Sequence, residues 1–226
     1  MFKKLINNEL EQETIKDLIR LLGGFDLPNK FEEIPMGQSA GYTTINGYVN
    51  KLMLYKTYLQ SIPASIGNLT MLEELILSGN NFKELPKELG KLTKLRKINL
   101  NYNQIELIPE TFFEAKGLEW LDLSNNNIRQ IPEKINGLEK LTYLNLSNNK
   151  LTEVPNELFN LKELRILYLS NNNITNLQSR INDLTKLNEL SLFNNQLTSK
   201  PDIKLGLKIL DLRNNQYNDC ELEMKD

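Results

Sequence analysis

The sequence predicts an α/β solenoid, a horseshoe of short coils whose strands form a parallel concave sheet, closed at its N-terminal end by a helix and a β-hairpin. Leucines that recur at a constant interval of 23 residues are the first observation: Leu72, Leu95, Leu118, Leu141, Leu164 and Leu187. The second is that each of them opens the same apolar pattern, as in LEWLDLSNNNI and LTYLNLSNNKL. A fixed period of about 20 to 50 residues indicates stacked units, because no single unit can bury its own apolar face.

Side chains within each unit are expected to alternate between the core and the concave surface. Successive residues of a strand point to opposite faces, so Leu75 and Leu77 should enter the core. Glu74, Ile76 and Ser78 should then face outward on the concave side. The same rule places Leu118, Leu121 and Leu123 in the core of the unit that begins at Leu118.

An asparagine follows each strand at the same position of the unit. An amide side chain offers both donors and an acceptor, which suits the backbone groups of the turns in neighbouring coils. We therefore expect a buried structural ladder of these residues: Asn80, Asn103, Asn126, Asn149, Asn172, Asn195 and Asn215.

The second half of most units carries an apolar residue followed by proline: Ile62-Pro63, Leu85-Pro86, Ile108-Pro109, Ile131-Pro132 and Val154-Pro155. Proline fixes φ and lacks an N–H, so it favours the start of a short helical segment on the convex side and excludes a ladder strand. Gln178 replaces this proline in one unit, and Lys200 replaces the apolar residue in the next. Stacking is expected to loosen toward the C-terminus.

The pattern of leucine, two variable residues, leucine, one variable residue, leucine, two variable residues and asparagine resembles that of the leucine-rich repeat family. The resemblance covers about residues 49–217 as eight units, six of them clear, with Thr57 in place of the first asparagine. The second halves, with Leu89 and Leu92 or Ile135 and Leu138, resemble the 23-residue class found in intracellular Ras-scaffold proteins, their plant relatives and many bacterial proteins. This resemblance implies a horseshoe that binds and performs no chemistry.

Residues 1–48 precede the repeats and are expected to form a cap, while residues 218–226 form a tail. Asn8 with Glu11 indicates a helix start and Gly23-Gly24 a stop, which predicts a helix of about 14 residues. After a loop with Pro28 and Pro35, the stretch YTTINGYVNKLML predicts two antiparallel strands joined by Asn46-Gly47. These elements should cover the exposed end of the stack. A partner-binding role for the helix is the alternative.

Composition narrows the class of protein. The chain has 226 residues, 40% apolar and 25% charged, and a net charge of -2, as expected of a soluble protein with one continuous core. Lysine and glutamate are interleaved, and nucleic-acid binding is not expected, because phosphate recognition needs a clustered basic surface. No membrane span or signal peptide is predicted, and the single cysteine, Cys220, excludes an internal disulfide. Cytoplasmic residence is expected, with export that needs no cleavable signal as the alternative.

No catalytic, metal-binding or cofactor-binding residues are predicted. The absence of histidine removes the usual general base and the commonest zinc ligand, and no glycine-rich phosphate loop is present. Cys220 has acidic neighbours, which should raise its thiol pKa and blunt its reactivity. The carboxylate pairs Glu73-Glu74 and Glu32-Glu33 have no predicted pocket to hold them.

The variable positions of the strands predict a partner-binding surface. One concave column alternates in charge at Lys51, Glu74 and Lys97, and then becomes apolar. Large apolar residues that point into solvent on a rigid surface are typical of interaction hot spots, although strands also favour aromatic residues for their own packing. The candidate binding residues are the apolar members Trp120, Tyr143, Ile166, Tyr168 and Phe193, edged by Asp122, Arg165 and Glu189. A weaker patch comprises Met53, Tyr55, Ile76 and Tyr102.

The predicted function is a non-catalytic module that binds another protein, of unknown identity, on its concave face, as a monomer. A bacterial effector or surface protein that engages a host protein is one alternative. The recognition subunit of a separate enzyme is another, and a structural or self-associating role is a third.

Overall fold

The computed structural model describes residues 6–24, 27, 32–34 and 38–217. One helix precedes a single sheet, in which the strands lie in the order of the sequence. The elements are α1 (Glu9–Leu21), β1 (Glu32–Ile34), β2 (Gln38–Ile45), β3 (Tyr48–Tyr55), β4 (Glu74–Ile76), β5 (Lys97–Asn99), β6 (Trp120–Asp122), β7 (Tyr143–Asn145), β8 (Ile166–Tyr168), β9 (Glu189–Ser191) and β10 (Ile209–Asp211). The predicted solenoid is confirmed.

The sheet is parallel from β3 to β10, and its register follows the sequence period. Trp120 pairs with Tyr143 and Leu121 with Leu144, a shift of one whole unit. The same shift relates Tyr143 to Ile166 on the next strand. Because each position of the unit meets the same position of its neighbour, a column read from the sequence is a row of adjacent side chains on the surface.

Short 3-10 helices line the convex side, each beginning directly after the residue that sequence analysis identified as its start. They are Ala64–Asn68, Lys87–Lys91, Glu110–Glu114, Glu133–Gly137, Asn156–Asn160 and Ser179–Asp183. Pro132 directly precedes the helix Glu133–Gly137 and has φ -59° and ψ 145°. Gln178 adopts nearly the same angles, φ -68° and ψ 149°, so the loss of proline at this position does not prevent the helix.

The core is a continuous stack of the predicted apolar residues, and it opens only in the last described coil. At the central strand position Leu121, Leu144, Leu167 and Leu190 are each 0% exposed, whereas Leu210 is 45% exposed. The expected loosening toward the C-terminus therefore occurs at this final coil and not at Gln178. Ser78 departs from expectation: it is 4% exposed and does not face the concave side freely.

The asparagines form a ladder of hydrogen bonds between coils. The Asn126 amide nitrogen donates to the Leu123 carbonyl of its own coil (2.9 Å) and to the Leu100 carbonyl of the preceding coil (3.1 Å). Its amide oxygen accepts from the Ile105 N–H at 2.9 Å. The first coil has Thr57 at this place, and its hydroxyl donates to the Asn80 amide oxygen at 2.9 Å.

The residue before each ladder position adopts a left-handed conformation, which sequence analysis did not identify. Asn125 has φ 56°, and the equivalent Gly79 and Tyr102 have φ 71° and 53°. Glycine and asparagine tolerate this region best, which explains the recurrent Asn-Asn pair after the strands. Tyrosine is an uncommon occupant.

The N-terminal helix and hairpin close the first coil, as predicted. α1 has 13 residues, and the Asn8 side chain caps it by accepting from the Leu10 N–H at 2.9 Å. The turn at Asn46 and Gly47 has φ 52° and 79°, and β2 pairs antiparallel with β3. Strand β1, which pairs antiparallel with β2, was not predicted.

Glu11 does not act as a helix cap. Its carboxylate reaches across to the hairpin and accepts from the Val49 N–H at 2.8 Å. Helix α1 also contacts the first coil through the Thr14 hydroxyl, which donates to the Ser65 carbonyl at 2.8 Å. The predictions for Pro28, Pro35, Cys220 and the side chains of Glu32 and Glu33 lie outside the described residues.

Candidate protein-binding surface

Two aromatic rings on adjacent strands form the centre of the concave surface. Trp120 on β6 and Tyr143 on β7 are stacked, with centroids 4.8 Å apart and planes at 8°. Neighbouring strands are themselves about 4.8 Å apart, so the register of the sheet brings the two ring faces together. Both side chains are half-buried. Because Tyr143 lies against one face of the indole and the Lys97 ammonium lies over the ring, we infer that the edge of the indole is left for solvent.

Tyr168 extends this contact to the next strand. Its ring meets that of Tyr143 edge to face, with centroids 5.9 Å apart. Its hydroxyl donates a hydrogen bond to the Glu189 carboxylate, an interaction that together with partial burial raises the pKa of Tyr168 to about 12. Burial, followed by the negative charge of Asp122, also raises the pKa of Tyr143. Both phenols are therefore neutral donors at physiological pH.

The charged column is continuous with the aromatic residues. The Lys97 ammonium lies 5.1 Å from the Trp120 ring centroid and 3.1 Å from the Glu74 carboxylate. Glu74 also contacts Lys51 at 3.2 Å. Burial alone would raise the pKa of Glu74, but hydrogen bonds from the two lysines outweigh it and lower that pKa. Lateral contacts thus run without a break from Lys51 to Glu189.

We define the aromatic stripe as Trp120, Tyr143, Ile166 and Tyr168. Ile166 pairs in register with Tyr143 and Glu189 and is half-buried, so these four residues form one contiguous surface. Phe193 lies two strands beyond Tyr143, and the Arg213 guanidinium covers its ring at 5.7 Å. Arg165 is exposed at the entrance to β8.

Asp122 does not lie at an accessible edge as expected. It is 6% exposed, and its two oxygens accept from the Ser124 N–H at 2.8 Å and the Asn101 amide at 3.2 Å. A short carboxylate at the end of a strand readily accepts from the backbone two residues on, and Asn99 and Asn145 do the same with Asn101 and Ser147. Asp122 therefore supports the turn instead of facing a partner.

In the part of the chain that the structure describes, no group of three or more acidic or cysteine side chains is placed to hold a metal ion. α1, the one α-helix in those residues, is neither long nor apolar enough to cross a membrane.

Solved structures share this architecture. A leucine-rich repeat protein of Leptospira interrogans superposes with a TM-score of 0.72 at 27% identity, covering 96% of this chain and 60% of that protein. The ectodomain of the plant membrane receptor kinase GASSHO1/SCHENGEN3 from Arabidopsis thaliana, solved in complex with CASPARIAN STRIP INTEGRITY FACTOR 2, gives a TM-score of 0.64 at 29% identity over 75% of this chain and 22% of that one. A plant ice-binding protein, at 22% identity, shares the fold alone, with a TM-score of 0.75 over 94% of this chain and 73% of that one.

Sequence comparison supports the same assignment. A search of functionally characterised proteins gives no match. The profile described as leucine rich repeat matches residues 93–151 and 139–197, and the profile described as leucine rich repeats (2 copies) matches residues 70–112. Together they span more than half of the chain, which therefore belongs to the leucine-rich repeat family.

Proposed function

We propose that this protein is a non-catalytic interaction module that binds another protein through the aromatic stripe on its concave face. The leucine-rich repeat fold and the receptor ectodomain among its structural relatives support an interaction module. The assignment to the concave face rests on the stacked pair of Trp120 and Tyr143.

The stacked pair suits binding because it is already ordered. Each ring is held by its neighbours on adjacent strands, so a partner would restrict few side-chain rotamers when it docks. Tryptophan and tyrosine also supply most binding energy where they are clustered on a surface. The parallel sheet presents this cluster as a row of side chains across three adjacent strands, which suits contact with a protein surface.

Affinity capture with matched variants tests the proposal. A partner retained by the wild-type protein should also be retained by Lys51→Ala, since Lys51 lies three strands away from Trp120. It should be lost with Trp120→Ala or Tyr143→Ala, each of which should weaken affinity by about 2 kcal/mol or more, roughly thirtyfold. Titration calorimetry of the captured partner gives these values. If Lys51→Ala abolishes binding and the aromatic variants retain it, the site lies elsewhere.

A further inference from the structure

The aromatic half of the concave face has an imbalance between hydrogen-bond donors and acceptors. Donors there that have no acceptor within hydrogen-bonding distance among the described residues include the Trp120 indole N–H, the Arg165 guanidinium and the Lys208 ammonium. Arg165 and Lys208 are exposed and lie within 4.0 Å of no carboxylate in that part of the chain.

The carboxylates of the same surface are already engaged. Glu189 accepts from the Tyr168 hydroxyl, and Asp211 accepts from Arg213 at 2.7 Å. Glu119 is paired with Arg96, and Asp122 is buried against its own turn. The acidic groups of this half therefore have intramolecular donors, whereas Arg165 and Lys208 have no acidic partner among the described residues.

The orientation of the rings adds to this imbalance. Trp120 and Tyr143 turn their faces toward each other, so the surface shows their edges, where an aromatic ring carries partial positive charge. Carboxylate and carbonyl oxygens are attracted to such edges. A docking group that supplies acceptors would satisfy the free donors and meet a favourable field along the stripe.

We propose that the partner segment is acidic and apolar, with carboxylates for Arg165 and Lys208 and a large apolar side chain for Ile166 and the adjoining rings. This rests on the proposed function of the concave face. Arg165 and Lys208 are two coils apart, or about 10 Å, since strands are about 4.8 Å apart. Two acidic residues about three positions apart in an extended segment span that distance.

A phage-displayed library of random 12-residue peptides, selected on the whole protein, tests the segment's chemistry. Enriched peptides should carry at least two Asp or Glu residues close to Leu, Phe, Tyr or Trp. The affinity of a synthetic copy should fall about tenfold or more in the double variant Arg165→Glu and Lys208→Glu, and it should fall with added salt. Lys134→Glu is the matched control, because Lys134 is exposed on the convex helix Glu133–Gly137 and should leave affinity within about twofold.

The outcomes separate this inference from the proposed function. Enriched peptides that lack acidic residues but lose binding with Trp120→Ala would overturn the acidic segment and leave the concave site standing. Peptides that bind the aromatic and charge-reversed variants like the wild type would overturn both. A library without any enriched peptide would also overturn the acidic segment, because a short peptide should suffice to fill it. Unchanged thermal unfolding of each variant guards against loss of folding as the cause.

Discussion

The Glu11 carboxylate on α1 accepts a hydrogen bond from the Val49 N–H on β3 at 2.8 Å, which ties the N-terminal helix to the first strand of the parallel sheet. The side chain is 0% exposed, and its second oxygen has no hydrogen-bond partner among the residues that the structure describes. Burial raises the pKa of Glu11, although the Val49 hydrogen bond acts in the opposite direction. One hydrogen bond therefore only partly offsets the cost of burying the Glu11 charge where the N-terminal helix joins the solenoid.

We expect Glu11→Gln to be at least as stable as the wild type at pH 7. A raised folded-state pKa means that the folded protein binds the proton more tightly than the unfolded chain, so this contribution to stability is present below the unfolded pKa and is lost as pH rises through the folded pKa. Glutamine keeps an oxygen for the Val49 N–H without the charge. Urea unfolding should show that the free energy of unfolding of the variant, relative to that of the wild type, is higher at pH 7.5 than at pH 4.

Glu9→Gln is the control, because it removes the same charge from the first turn of the same helix at an exposed position. If Glu11→Gln instead loses more than about 1 kcal/mol at pH 7.5, the favourable field of the helix N-terminus outweighs burial of the charge.

The contribution of the asparagine ladder to stability can be tested by comparing a ladder asparagine with the asparagine that follows it. The Asn172 amide accepts from the Leu151 N–H and donates to the Leu146 and Leu169 carbonyls, each at 3.0 Å. Asn172→Ala should lower the free energy of unfolding by about 1 to 3 kcal/mol, because buried backbone groups lose their partners. Asn173→Ala should change it by less than about 0.5 kcal/mol, since that side chain is exposed. Equal urea midpoints for the two variants would contradict the ladder.

Gly90 lies where the convex helix Lys87–Lys91 packs closely against the helix Glu110–Glu114 of the next coil. A methyl group there would collide with the Thr111 carbonyl oxygen of the next coil. Gly90→Ala should therefore destabilise the protein by about 1 to 3 kcal/mol or more, as overpacking does. The matched change Gly206→Ala meets nothing within 4 Å and should be close to neutral. Thermal unfolding distinguishes them, and a neutral Gly90→Ala would show that the coils can separate there without loss.

The sequence predicts which residues are neighbours in this fold better than it predicts how their side chains are oriented. The 23-residue period predicts the parallel register, because Trp120 must meet Tyr143 once the units stack, and it therefore predicts which side chains are neighbours. The period does not predict the direction in which an individual side chain points. The position of Lys97 over the Trp120 ring, the inward turn of Asp122 and the reach of Glu11 depend on side-chain rotamers and on contacts between elements distant in sequence.

The contact between Lys97 and Trp120 can be tested without a partner, because Trp120 is the only tryptophan of the chain and its fluorescence reports on one site. Lys97→Ala should remove the ammonium from one ring face, make the indole more accessible to acrylamide quenching and reduce stability by about 0.5 to 1 kcal/mol. Tyr143→Ala, which exposes the stacked face, should increase quenching more. Lys51→Ala alters the same charged column two strands from Lys97 and should leave quenching unchanged. If it increases quenching as much as Lys97→Ala does, the column acts as one electrostatic unit and Trp120 is not held by direct contact with Lys97.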